Sequence, residues 1–184
     1  MAQMIRAASA ALLLAAPALA DDPQSTRSVL REALPASVSN IHRVGAAQTP
    51  SGFAVPRFVS LKFGRVNART GPSRQHAIAF QYQRRGLPLV VVAETEMWRK
   101  VRDISGDEAW VRKPALSGER RAIALSDTLV RRRPSQSAGG VARLAKGAVV
   151  DLGDCEAGFC RVQTEGGLKG FAPRAALWGA QDLG

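Results

Sequence analysis

The sequence predicts a mostly β fold: two small β-barrels in tandem, preceded by an export signal and a flexible linker. Three observations predict it. From Arg57 onward, short runs rich in Val, Leu, Phe and Trp alternate with Gly, Pro and Ser at intervals typical of small all-β folds. Landmarks in residues 57–118 recur in residues 119–179 at a common shift of 61. The first twenty residues have the build of a leader rather than of a domain.

Arg6 supplies the charged start of that leader, and Ala7 to Ala16 form an apolar run interrupted only by Ser9. Pro17 breaks the run before Ala18-Leu19-Ala20, the small-x-small pattern of a signal-peptidase site. A membrane span needs about 20 predominantly apolar residues, and no segment after this one is apolar enough to span a bilayer. The expectation is cleavage near Asp21 and export to a periplasm or beyond; the alternative is an uncleaved N-terminal anchor. Residues 21–184 carry 25 basic against 15 acidic side chains, a net charge of +10. That charge favours polyanions in general, while export argues against nucleic acid as the target.

Residues 21–56 read as a flexible linker. Ser25–Ala33 could form a short helix capped by Ser25 or Thr26, but Pro35, Gly45, Pro50, Gly52 and Pro56 follow without a hydrophobic period. His42 falls in this linker, where the expectation is an exposed loop residue. Expected strands in the first unit are Phe58–Phe63, Leu87–Ala93, Trp98–Arg102 and Ala109–Arg112. The second unit, 119–179, repeats the first: Gly86 meets Gly147, Trp98 meets Phe159, Val101 meets Val162, Gly106 meets Gly167, Trp110 meets Phe171 and Leu116 meets Leu177. With one residue of slack, Arg69 and Pro72-Ser73 fall on Arg131 and Pro134-Ser135. Residues 180–184 remain as a tail.

The segment Val66-Asn67-Ala68-Arg69-Thr70-Gly71-Pro72-Ser73, with Trp98-Arg99-Lys100-Val101-Arg102 and Ala109-Trp110-Val111, resembles the bacterial SH3-like (SH3b) domain family. The second unit is similar in degenerate form, keeping Arg131 and Pro134-Ser135 but replacing the Trp positions by Phe159 and Phe171. The resemblance implies two SH3-like barrels and a binding role in the cell envelope, on peptidoglycan or an envelope protein. It also implies that Trp98 lines a ligand groove. The groove's Pro position is Arg112 in the first unit and Pro173 in the second, and its Tyr positions are Ala115 and Ala176. Most aromatic walls of a proline-recognising groove are therefore absent, which argues against a proline-rich ligand.

Cys155 and Cys160 lie in one short segment, and the four residues between them suit a hairpin loop, so the pair is expected as a structural disulfide. A redox pair would favour C-x-x-C spacing, and a metal site would need partners that no nearby histidine supplies. No metal or other cofactor is expected.

Strand alternation puts Val101 in the core with Arg99 on its side, and Trp98, Lys100 and Arg102 on the opposite face. In the second unit Phe159 and Arg161 share a face. Each unit would thus set an aromatic beside basic side chains, a surface that could stack on a ring or pair with acidic groups. Trp98 has a second reading, as a strand-end residue turned inward. Trp110 and Phe171 are expected in the core, and Trp178 at the junction of the barrels. Arg69 and Arg131 are expected to tie loops through backbone carbonyls. Arg131-Arg132-Arg133 is the most concentrated charge and a further candidate for anionic polymers. No nucleophile, base and orienting group can be assembled from His76, Ser73 or the carboxylates Asp151, Asp154 and Glu156. The expectation is a binder rather than an enzyme. The alternatives are a structural accessory and a salt-sensitive polyanion binder.

Overall fold

Burial alternates with period two along Val66–Arg69, Glu108–Arg112, Thr128–Arg131 and Lys169–Pro173, whereas Pro88–Val91 and Ala122–Ala124 are buried on both faces, one toward their own core and the other toward a separate apolar cluster. The structure is a computed structural model that describes residues 41–183; the signal and the Ser25–Ala33 helix lie outside them. The first barrel contains β1 (Arg57–Leu61), β2 (Val66–Arg69), β3 (Ile78–Tyr82), β4 (Pro88–Glu94), β5 (Trp98–Arg102), β6 (Glu108–Arg112) and β7 (Leu116–Ser117). The second contains β8 (Arg121–Ala124), β9 (Thr128–Arg131), β10 (Gly140–Leu144), β11 (Val149–Glu156), β12 (Phe159–Gln163), β13 (Lys169–Pro173) and β14 (Leu177–Trp178). Their strand orders are the same: β3-β2-β6-β5-β4-β1-β7 and β10-β9-β13-β12-β11-β8-β14, all neighbours antiparallel. A single 3-10 turn precedes the last strand of each barrel, at Lys113–Ala115 and Arg174–Ala176. The fold is therefore mostly β, two barrels in tandem, as the sequence predicts.

The repeat is exact in register from β4 and β11 onward, at a shift of 61, and the earlier strands gain slack from shorter loops in the second copy. Gly86 and Gly147 lie in the turns that lead into β4 and β11, with φ of 74° and 81°. Each donates its N–H to the same edge, at Leu61 O and Ala124 O. Only glycine takes that backbone at little cost, which is why it survives in both copies.

Two expectations are corrected. Residues 41–56 are not free linker throughout: Val44 and Val55 form a bridge, and Val55 is buried in the first core. Trp110 and Phe171 are not core residues. Ala109 and Val111 face the interior of the first barrel and leave Trp110 half-buried on the outside; Ala172 does the same to Phe171. Only one face of each strand can point inward, and because Ala109 and Val111 take the inward face of β6, the aromatic between them faces outward.

The barrels dock through a third apolar cluster, separate from both cores. Val90 of the first and Ile123 and Trp178 of the second are buried together, with Phe58 and Val92 packed against them. The Phe58 ring stands edge-on to Trp178, with centroids 5.3 Å apart. Trp178 thus sits at the junction, as expected. The two faces are not copies. Phe58 pairs across strands with Val90, where the second barrel has Arg121 opposite Asp151, joined by a 3.0 Å ion pair. Conversely, Ser60 opposite Ser117 in the first barrel becomes Ile123 opposite Trp178 in the second. Arg84 Nη1 adds a polar tie by donating to Gly147 O at 2.8 Å.

A second equivalence lies at the hairpin between the fourth and fifth strands. In the second barrel Cys155 and Cys160 are directly paired across β11 and β12, and form the expected disulfide with Cα atoms 3.9 Å apart. In the first barrel the same register positions hold Glu94 opposite Arg99. Their side chains are only 2% and 4% exposed and meet at 2.9 Å. Glu94 also accepts from Arg57 Nη2 at 2.6 Å and from the Ser51 N–H at 2.9 Å, so it holds the 51–57 segment onto the barrel. One clamp is covalent and the other ionic.

Both clamps are testable by urea unfolding. Reducing the disulfide opens a short loop and is expected to cost about 2 kcal/mol; an unchanged midpoint would contradict its role. At Glu94, burial opposes the ionised form, but hydrogen bonds from Ser51 and Arg57 outweigh it and hold the carboxyl below its ordinary range. The folded state therefore takes up the proton less readily than the unfolded chain. The resulting stability is present above about pH 4.3 and lost as pH falls through the lower folded value. Glu94→Gln leaves Arg99 buried without its counter-charge and is expected to cost about 3 kcal/mol at pH 7. It should also flatten the acid limb of stability against pH; an acid limb identical to wild type would refute the clamp.

Candidate functional site

The first barrel has a cleft of about 400 Å³ at one end of β2, β5 and β6. Trp98 opens β5 and pairs in register with Arg112, the last residue of β6. Its side of the strand is the outer one, shared with Lys100 and Arg102, yet the indole is only 7% exposed and belongs to none of the apolar clusters. Neither simple alternative describes it: Trp98 is the floor of a cleft, outside the core but covered by the cleft walls. Phe63 from the β1–β2 connection, Val66 from β2 and Ala115 from the 3-10 turn complete the apolar surface. The Lys62 N–H donates to Ala115 O at 2.9 Å, which holds that connection against the turn.

Four arginines form the polar walls: Arg65 just before β2, Arg69 at its end, Arg74 in the loop that follows, and Arg112. No carboxylate lines the cleft, and none of these four makes an ion pair with a carboxylate among the described residues. Arg69 donates through Nη1 to His76 O at 2.7 Å and so fixes the loop that carries Arg74. Within that loop Ser73 Oγ and His76 Nδ1 lie 2.8 Å apart, and the imidazole packs over Gly71, where a Cβ would come within 2.3 Å of the ring. Ser73 Oγ also accepts the Gln75 N–H at 3.2 Å. The Ser–His pair closes a turn.

The expected site residues are distributed differently. Lys100 and Arg102 do not enter the cleft. Both are bound to Glu108 on β6, each at 2.6 Å. Burial works against the Glu108 anion, but the hydrogen bonds from Lys100 and Arg102 outweigh it and hold this carboxyl below its usual range. One carboxylate therefore ties down both basic side chains on this face. The aromatic opposite Lys100 is Trp110 rather than Trp98.

In the second barrel Phe159 is 5% exposed. Arg161 lies over the Phe171 ring, 5.8 Å from its centroid. Arg131 Nη1 donates to Ala138 O at 2.7 Å, the same loop tie that Arg69 makes, and both ties match the sequence expectation. Arg132 and Arg133 are exposed at the head of the following turn. The positions equivalent to the cleft arginines are Asp127, Arg131, Gln136 and Pro173, so the second copy retains one of the four.

Arg65 and Arg74 escaped the sequence reading although they flank the Val66–Ser73 motif. Nothing local brings them to Trp98; the β2–β6 and β5–β6 pairings do. Among the described residues no cluster of His, Cys, Asp and Glu could hold a metal ion, and no helix is long and apolar enough to cross a membrane.

Comparison with known proteins adds the family. The bacterial SH3 domain family model matches residues 62–118 and again residues 127–179. No curated protein matches the chain. Among solved structures it is similar to NlpC2 and NlpC1 from Trichomonas vaginalis, at 17% identity and a TM-score of 0.31 in each case. Each alignment covers 67% of this chain but 48% and 45% of the other, so the chain spans less than half their length. Two matched regions, together more than half of the sequence, coincide with the two barrels: the chain belongs to the bacterial SH3 domain family, a family of binding modules, and carries two copies of its domain.

Proposed function

We propose that this chain is an exported, non-catalytic SH3-like binding module of the cell envelope, acting on peptidoglycan or on a protein partner there. The observation that carries the reading is the Trp98 cleft, a concave site with an apolar floor and convergent polar walls on a domain type built for binding. The cleft lies where the family resemblance puts a ligand groove, with Arg112 and Ala115 in place of the Pro and Tyr. The leader-like N-terminus supports export, and the Cys155–Cys160 disulfide suits an oxidising compartment. The second barrel serves to support the first through the shared seam, since its own version of the cleft has lost the Trp and three of the arginines.

Pull-down on purified cell-wall sacculi across a salt series tests this reading. Wild type is expected to stay bound at high salt, and a folded Trp98→Ala variant to be released. Release of both proteins at moderate salt would instead mean attraction by net charge alone, through surfaces such as Arg132 and Arg133. Muropeptides incubated with the protein should emerge unchanged in mass; any cleavage product would overturn the non-catalytic assignment.

A further inference from the structure

We infer that the Trp98 cleft takes a short acidic peptide, carboxylates on its arginines and apolar side chains on its floor, and that each chain holds one. The inference rests on the reading of this cleft as the binding site and specifies its ligand chemistry.

The first argument is charge. Outside the cleft, the cations carried on strands of the first barrel have a counter-charge built in: Glu108 serves both Lys100 and Arg102, and Glu94 serves Arg57 and Arg99, while loop cations such as Lys62 and Lys113 stand apart without one among the described residues. Around the cleft, four guanidinium groups, three from β2 and its flanking loops and one from the end of β6, converge with no acid among them. Like charges held together raise the free energy of the site, and an arriving anion relieves it. Guanidinium forks suit planar carboxylates, which they can bind through two parallel hydrogen bonds.

The second argument is the floor. Phe63, 52% exposed, and the half-buried Ala115 offer apolar surface beside the edge of Trp98 that a bare inorganic anion could not use. A nucleotide could stack on the indole, but the amide available to read its base, Asn67, already accepts through Oδ1 from Gln81 Nε2 at 2.8 Å. A peptide with carboxylates beside an aliphatic side chain uses both kinds of wall.

The third argument is the comparison between copies. Asp127 and Pro173 stand where Arg65 and Arg112 stand in the first barrel, so an anion has no equivalent place in the second. The stoichiometry follows from that.

Calorimetric titration of the full chain tests the inference, with a blocked tetrapeptide bearing two adjacent glutamates and one leucine. The comparison probes are its glutamine counterpart, inorganic phosphate and a mononucleotide. One equivalent of the acidic peptide should bind, with affinity lower by about tenfold or more for the glutamine peptide. Arg112→Pro imports the residue that the second barrel already accommodates at this place, and Arg65→Ser changes an exposed side chain; each should weaken acidic-peptide binding by a similar factor with unfolding midpoints kept. Two equivalents per chain, equal binding of the glutamine peptide, or phosphate or mononucleotide competing as well as the peptide would each overturn the inference. Sacculus retention that needs Trp98, combined with no binding of the acidic peptide, would refute the ligand class and leave the envelope reading standing. Acidic-peptide binding without sacculus retention would do the reverse.

Discussion

The seam between the barrels is the constraint on which the rest of the molecule depends. A β-domain of about sixty residues buries only about 60% of the surface that its unfolded chain exposes, and is marginal by itself. Here the deficit is met by apolar side chains that point away from both cores. Val90, Ile123 and Trp178 are buried against one another, and Phe58 meets Trp178 edge to face. Such a pairing adds about 0.5–1.5 kcal/mol beyond the area it removes from water. The faces are complementary rather than identical, because each barrel is polar where the other is apolar. Arg121 and Asp151 pair with each other at the place where Phe58 and Val90 pack. A seam of this kind closes with two units and offers no repeat for a third.

Once docked, the copies diverge. The fourth hairpin needs its two strands pinned, and the first barrel does so with Glu94 between Arg57 and Arg99, the second with a disulfide. The ionic version has a reach that the covalent one lacks, since the same carboxylate also holds the Ser51 N–H and through it the segment leading into the barrel. The cleft follows the same division. The first copy keeps the Trp and surrounds it with arginines; the second keeps the loop-tying Arg131 and fills the remaining positions with Asp127, Gln136 and Pro173. One barrel carries the arginine-lined cleft while the other carries the covalent clamp.

Much of this is legible in the sequence because it depends on local pattern. The shift of 61 marks the two copies, the Cys155–Cys160 spacing marks the hairpin, and a lone late Trp178 after the closing Leu marks the seam. Arg69 and Arg131 could be read as loop ties because each leads into a turn motif; the structure supplies the carbonyl partners, His76 O and Ala138 O. What could not be read depends on three-dimensional neighbours. Trp110 looks like a core residue because it opens a strand beside a small apolar residue, but its neighbours Ala109 and Val111 are the ones that face inward. Lys100 and Arg102 look like free cations beside Trp98 until β6 brings Glu108 alongside. Arg65 and Arg74 look like scattered loop charges until the sheet closes and gathers them around the indole. Val55 looks like linker until it enters the first core.

Differential scanning calorimetry of the wild type beside Trp178→Ser tests the central claim most directly. The substituted residue is the one that the first barrel already carries at the equivalent position, Ser117. If the seam makes the two barrels one folding unit, wild type melts in a single transition with matching calorimetric and van't Hoff enthalpies. The variant should then melt at a lower temperature in two resolved transitions. Two independent transitions in the wild type, or a variant that melts as the wild type does, would contradict the account.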